Sequence, residues 1–149
     1  MSTVATDVMI RPFRSLDLHP VIDIARSHEL VESHRVANWS SLWLNSESCM
    51  VVLYQHAVRA YCVAYTSGFC MYFGLAVHPD YLRHGIGTAI VDYLKDRLDP
   101  KRRPWLIALV KERDLRTQLF FKSQGFLARY HCKDLRGEDV YAFDFERKQ

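Results

Sequence analysis

The chain has only four cysteines, little net charge and no long apolar run, and each shortage removes a class of protein. Cys49, Cys62, Cys70 and Cys132 show no CxxC spacing and each lies in an apolar or strand-like stretch. They read as buried reduced thiols, against a disulfide frame or a zinc site. The seven histidines show no HExxH spacing, so no structural metal is expected. Net charge is +3, too small to imply a nucleic-acid partner, and no basic face is broader than Lys101-Arg102-Arg103. That run, beside Pro100 and Pro104, reads as a solvated connection between a helix and a strand; a rim attracting phosphate or an acidic partner is the alternative. No apolar stretch approaches the roughly 20 residues a membrane helix needs, and MSTVATDVMIRPFR lacks the layout of a signal peptide. The expectation is a cytoplasmic protein with no membrane partner.

What is present suits one domain over residues 1–149: 49% apolar and 25% charged residues are ordinary for a globular domain, and two ordinary domains would need more chain. Met9 to Phe13 reads as a strand. Asp17 can cap a helix running to about His28, with Leu18, Ile22 and Ala25 on one face. A second helical stretch, roughly His34 to Leu44, carries Trp39 and Trp43 one turn apart, a spacing that reads as core. Cys49–Tyr54, Val58–Tyr65 and Phe69–Val77 form an antiparallel meander, with polar turns at Gln55-His56 and Ser67-Gly68. From Gly85 the period becomes helical, with Ile86, Ala89, Ile90, Tyr93, Leu94 and Leu98 in one stripe. Trp105–Val110 is continuously apolar and reads as a strand buried on both faces. Asp114 to Gln124 is helical, with Leu115, Leu119, Phe120 and Ser123 on a face and Gly125 as the cap. Phe126–Lys133 and Val140–Phe145 are final strands. The order predicts a mixed α/β (α+β) fold: a mostly antiparallel sheet of about seven strands flanked by helices.

The candidate chemistry lies in VHPDYLRHGIG, from Val77 to Gly87. A strand runs into Arg83-His84-Gly85-Ile86-Gly87-Thr88 and then into a helix. Glycine at 85 and 87 lets the backbone approach an oxygen anion closely. The helix N-terminus adds N–H donors and partial positive charge, so a pyrophosphate is the natural guest. The stretch lacks the GK[ST] ending of a nucleoside-triphosphate loop and the third glycine of the dinucleotide fingerprint. A plain tight turn is the bland reading.

VHPDYLRHGIGTAIVDYLKDRL, followed some twenty residues later by LRTQLFFKSQGF, resembles the GNAT superfamily of acetyl-CoA-dependent N-acetyltransferases. The first segment is similar to the family's V-x-P-x-x-[Q/R]-x-x-G-x-[G/A] pyrophosphate motif, the second to its helix with an aromatic pair before G-F. AVHPDY and ARYHCKDLRGEDVYAFDF look most like the ribosomal-protein N-terminal alanine acetyltransferases. The resemblance implies the acyl-CoA N-acyltransferase fold, acetyl-CoA as cofactor and an amine acceptor as partner. It implies backbone pairing of Leu75, Ala76 and Val77 with the pantetheine arm, and an N–H near Val77 for the thioester oxygen. Backbone amides from Leu82 through Arg83, His84, Gly85, Ile86 and Gly87 to Thr88 would hold the pyrophosphate. Asp114 stands where the family often has a coenzyme-contacting asparagine. A homodimer is left open.

The chain also departs from the family. Leu82 replaces the usual Gln or Arg, with Arg83 supplying charge one residue on. Phe121, beside the coenzyme in this alignment, falls where most members carry a tyrosine that protonates the leaving thiolate, and Leu109 where the resembled enzymes carry a glutamate base. Losing a general acid costs about 10²–10⁴ in rate. A thiol of pKa ~8.5 leaves tolerably unprotonated, and water or Tyr130 could stand in. Without a strong base the site favours an amine of low pKa, such as a peptide N-terminus, over lysine; a small-molecule amine is the second acceptor class. Glu29, Glu32 and His34, and the Glu138-Asp139 pair, are surface charges or acceptor contacts. The competing function is a non-catalytic acyl-CoA sensor with a degenerate active site.

Overall fold

The computed structural model describes residues 7–28, 48–133 and 137–149. The helix expected at His34 to Leu44, with Trp39 and Trp43, lies outside them, as do Glu29, Glu32 and His34. Among the described residues the order is β1 (Val8–Pro12), α1 (Leu18–Ser27), β2 (Ser48–Tyr54), β3 (Ala57–Ser67), β4 (Cys70–Val77), α2 (Ile86–Asp96), β5 (Trp105–Lys111), α3 (Leu115–Ser123), β6 (Leu127–Lys133) and β7 (Asp139–Glu146). The strands form a seven-stranded mixed sheet in the order β1-β2-β3-β4-β5-β7-β6. The mixed fold expected from the sequence is therefore the observed one.

Two compact units make up the chain: Met1–Tyr65 with Gly74–Tyr93, and Thr66–Phe73 with Leu94–Gln149. In the first, β1, β2 and β3 are antiparallel neighbours. Gln55 and His56, at φ 54° and 65°, close the β2–β3 hairpin in the left-handed conformation that suits a tight two-residue turn. Val21, Ile24 and Ala25 of α1 pack with Val51, Tyr61, Val63 and Ala76 into one apolar cluster. Asp17 does not cap α1 with its side chain. Its buried carboxylate instead accepts from the Arg14 N–H at 2.8 Å and from both terminal guanidinium nitrogens of Arg11, at 2.7 and 2.9 Å. The Arg11 hydrogen bond holds the Asp17 carboxyl below its ordinary range, which ties β1 to the start of α1.

In the second unit, β5 is antiparallel to β7 and β7 to β6. Phe121 is buried with its ring 5.5 Å from that of Phe73, 5.1 Å from Phe126 and 6.3 Å from Phe143. Of the residues read onto one face of α3, Leu115 and Leu119 are exposed, whereas Phe121 and Gln124 are buried. A large aromatic with three aromatic partners sets the helix rotation, because burying that ring removes more apolar area than burying a leucine. Gly125 at φ +90° ends the helix, and the Phe126 N–H bonds back to the Phe121 carbonyl at 3.0 Å, closing a Schellman cap.

β5 is not buried on both faces as its apolar run suggested. Leu106, Ala108 and Val110 are buried, but Leu109 is 53% exposed, because the aromatic cluster lies on one side only. Cys132 is likewise exposed rather than buried, since all of β6 is exposed. Cys62 is buried, and burial pushes its thiol up to about 12, which keeps it protonated and inert.

Candidate functional site

The Val77–Gly87 segment folds as its composition demands. His78 caps the short turn Pro79–Tyr81, its Nδ1 accepting from the Asp80 N–H at 3.1 Å. Arg83 and Gly85 then adopt φ +66° and +80°, and α2 begins at Ile86. Left-handed residues just before a helix turn consecutive N–H groups toward one point, forming an anion-binding concavity. The first N–H groups of α2 have no acceptor within the helix. Gly85 meets the conformational requirement; Arg83 meets it at some strain and presents an exposed guanidinium. Leu82 is partly buried.

A group of rings that sequence reading missed supports this turn. The Arg59 guanidinium lies 4.2 Å from the centroid of the Tyr81 ring. Tyr81 also faces His78, His84 and Tyr54 at 5.5, 5.8 and 6.0 Å, and the Tyr54 hydroxyl lies 3.4 Å from His84 Nδ1. Tyr54 and Arg59 come from the β2–β3 hairpin, so only strand pairing brings them here.

The strand leading into the turn has one edge whose ladder stops early. β4 pairs with β5 in parallel at Cys70↔Trp105, Met71↔Leu106 and Tyr72↔Ile107, and the register ends there. The Phe69 carbonyl accepts from the Trp105 N–H at 3.3 Å, whereas the His78 N–H donates to Arg59 of β3 at 2.7 Å. Strand alternation therefore directs the N–H and C=O of odd-numbered β4 residues away from β3. Leu75 and Val77 present their backbone groups on the edge beyond the β5 ladder. Ala76, expected to pair with the pantetheine arm as well, turns its backbone toward β3 and buries its side chain in the α1 cluster. The Val77 carbonyl is met by His28 Nε2 at 2.5 Å. Nothing in the sequence pairs His28 with Val77, 49 residues away.

The remaining candidates lie in the second unit. Asp114 caps α3: its Oδ1 accepts from the Thr117 N–H at 3.1 Å and its Oδ2 from the Thr117 hydroxyl at 2.6 Å. Phe121 sits in the aromatic cluster. Tyr130, 69% exposed, pairs across the sheet with Ala142, which pairs with Leu109, so all three share a face. Phe143 occupies the opposite face with Phe121, so the Tyr130 hydroxyl and the Phe121 ring lie on different sides of the sheet. Glu138 ion-pairs with Lys111 at 3.2 Å.

One further cluster was not legible in the sequence. Ligand-type atoms of Glu112, His131 and Asp139 lie within 4.8 Å of one another, all exposed. Lys133 Nζ is 2.9 Å from Asp139 Oδ1 and His131 Nε2 is 3.3 Å from Glu112 Oε2, so the group reads as an ion-pair network of β6, β7 and the turn after β5. The Lys101–Arg103 run is a turn organised by Asp99, whose Oδ1 accepts from the Lys101 and Arg102 N–H groups at 2.9 and 3.3 Å.

A strand edge beyond its ladder is thus followed by a left-handed turn and a helix N-terminus, an arrangement chemically suited to an extended arm and a pyrophosphate. Residues 45–127, more than half of the chain, match the model of the acetyltransferase (GNAT) domain. The chain belongs to the GNAT acetyltransferase family, and acetyl-CoA is the coenzyme that family uses. Among solved structures, Ard1 from Thermoplasma volcanium superposes with a TM-score of 0.85 at 20% identity, covering 97% of this chain and 100% of that one. The ribosomal-protein-S18-alanine N-acetyltransferase from Escherichia coli gives 0.76 at 17% identity, with 95% of each chain covered. A GNAT superfamily phosphinothricin acetyltransferase from Sinorhizobium meliloti, in complex with AcCoA, gives 0.74 at 19% identity, with 96% of this chain and 90% of that one covered. At these identities the likeness is one of fold. No curated protein matches the chain in sequence. No helix among the described residues is long and apolar enough to cross a membrane.

Proposed function

We propose that the chain transfers the acetyl group of acetyl-CoA to an amine by direct attack, with a peptide or protein N-terminus as the acceptor class. The observation that carries this reading is the continuity of the β4 edge at Leu75 and Val77 with the left-handed turn at Arg83 and Gly85. The residues fit the coenzyme: Leu75 and Val77 offer backbone groups to the pantetheine arm, and the amides from Leu82 to Thr88 receive the pyrophosphate. The Val77 N–H stabilises the thioester oxygen as it becomes an oxyanion. Asp114 acts through α3, whose first turn it holds. When bound, acetyl-CoA supplies the activated acyl group.

Acceptor choice follows from what the chain lacks. Leu109 offers no carboxylate. At pH 7 roughly a tenth of an α-amine with pKa ~8 is already uncharged, against well under a thousandth of a lysine. Tyr130 stands across the sheet from Phe121, which favours contact with an acceptor over protonation of the coenzyme sulfur. Water then supplies the proton to the departing thiolate.

The test pairs a melting experiment with a thiol-release screen over N-terminal peptides, lysine peptides, polyamines and small amines. Saturating acetyl-CoA raises the melting temperature by mass action, and N-terminal peptides give the fastest release. A thermal shift without release from any amine would leave the non-catalytic sensor as the function; faster release with small amines would reassign the acceptor.

A further inference from the structure

We infer that His28 accepts the proton of the attacking amine, a role that rests on the acetyl-transfer reading above. His28 is the residue that ends α1, partly buried, and its Nε2 lies 2.5 Å from the Val77 carbonyl oxygen. A carbonyl can only accept a hydrogen bond, so Nε2 carries the hydrogen. In the neutral ring the lone pair is then on Nδ1, which has no hydrogen-bond partner among the described residues.

The place of this imidazole gives the tautomer its meaning. In an extended strand the N–H and C=O of one residue point to the same side, so the ring that meets the Val77 carbonyl stands beside the Val77 N–H. That N–H is the group assigned to the thioester oxygen. The base is therefore fixed at the edge where the acyl carbon is presented, and its ring cannot turn over without losing the bond to Val77. Orienting a base through its second nitrogen is the general logic of histidine catalysis. The chain needs such a group, because the glutamate position is Leu109.

The step balances without any further reagent. The neutral amine nitrogen forms a bond to the thioester carbon, and the negative charge on oxygen is held by the Val77 N–H. Nδ1 takes one proton from the now cationic nitrogen. The tetrahedral species collapses, the C–S bond breaks, and the thiolate leaves. The imidazolium returns its proton through water to the sulfur, giving amide and free coenzyme thiol.

Two substitutions separate proton transfer from positioning. His28→Ala removes both the base and the bond to Val77. His28→Gln retains a side-chain N–H that can donate to the Val77 carbonyl but has no site that accepts a proton. Both variants are expected to lose about 10²-fold or more in kcat for a peptide acceptor. Both keep the acetyl-CoA thermal shift of the wild type, and added imidazole partly restores acetylated peptide with His28→Ala. Amide product is measured, because imidazole can itself take up an acetyl group. Wild-type turnover in His28→Gln would reduce His28 to a positioning residue and overturn the proposal, as would wild-type turnover in His28→Ala. Should His28→Ala not fold, His28→Gln alone decides between these outcomes. An acetyl-CoA shift with no product from wild-type protein overturns the transfer reading itself; active wild type with an active variant overturns only the role of His28.

Discussion

Phe121 is 4% exposed, with Phe73, Phe126 and Phe143 around its ring, and each aromatic pair adds about 0.5–1.5 kcal/mol beyond area burial. A tyrosine here would bring a hydroxyl into an apolar cluster, at a cost of about 1–2 kcal/mol while the hydroxyl lacks a partner. Phe121→Tyr is therefore expected to lower the melting temperature of the free protein by about 3–6 °C. Under the proposed acetyl transfer, with tyrosine restored at the family's usual position, thiol release should rise or stay unchanged. Melting curves with and without acetyl-CoA, together with the release assay, check both halves. A large fall in turnover with the fold intact would assign the phenyl ring a shape-defining role that a hydroxyl disturbs.

At the scale of elements, α3 shows how an end can matter more than a face. Asp114 supplies both of its carboxylate oxygens to Thr117, and the Gln118 amide donates to the Lys111 and Glu112 carbonyls at 3.0 and 2.7 Å. The first turn is thereby held to the end of β5. Asp114→Ala is expected to cost about 1 kcal/mol, the usual worth of an N-cap, and Asp114→Asn much less, since an amide oxygen still accepts from the Thr117 N–H. Urea midpoints of the two variants measure the difference; equal losses would show that charge, not the cap hydrogen bond, is what α3 requires. The helix also explains why its face was misread. A nine-residue segment with little amphipathic bias offers more than one stripe at helical spacing, and the Leu115–Leu119 stripe is as regular as the one through Phe121. Only the rings waiting on β4 and β7 select between them.

For the whole molecule, the acid limb of stability follows from carboxylates held below their ordinary range. Asp17, 5% exposed, is lowered chiefly by the Arg11 hydrogen bond. The exposed Asp99 is lowered by the Lys101 N–H and Asp139 by Lys133, in the same direction. A carboxyl whose folded value lies below its unfolded one contributes stability that is fully present above the unfolded value, near pH ~4, and is lost as pH falls through the folded value. Asp17→Asn is expected to cost about 3 kcal/mol at pH 7, because it leaves the Arg11 guanidinium without its charge partner. The gap between variant and wild type should close as pH falls below about 4; a gap that stays constant down to pH 2 would mean Asp17 acts through shape and not charge.

The sequence by itself determined the features governed by neighbours in the chain. The left-handed need at Gly85, the Gln55-His56 hairpin, the Gly125 cap and the strand-turn-helix of the pyrophosphate segment all depend on local backbone sterics and hydrogen bonds within a few residues. These suffice for the fold class and for the strand-turn-helix proposed to receive the coenzyme's phosphates. Tertiary structure alone decided which β4 residues face the open edge, because a shift of one residue in register exchanges Ala76 for Leu75 and Val77. It alone brought His28 to Val77, Arg59 to Tyr81, and Glu112 to His131 and Asp139. The physical reason is range: propensity and capping act over one turn, whereas register and packing join side chains that the sequence holds dozens of residues apart.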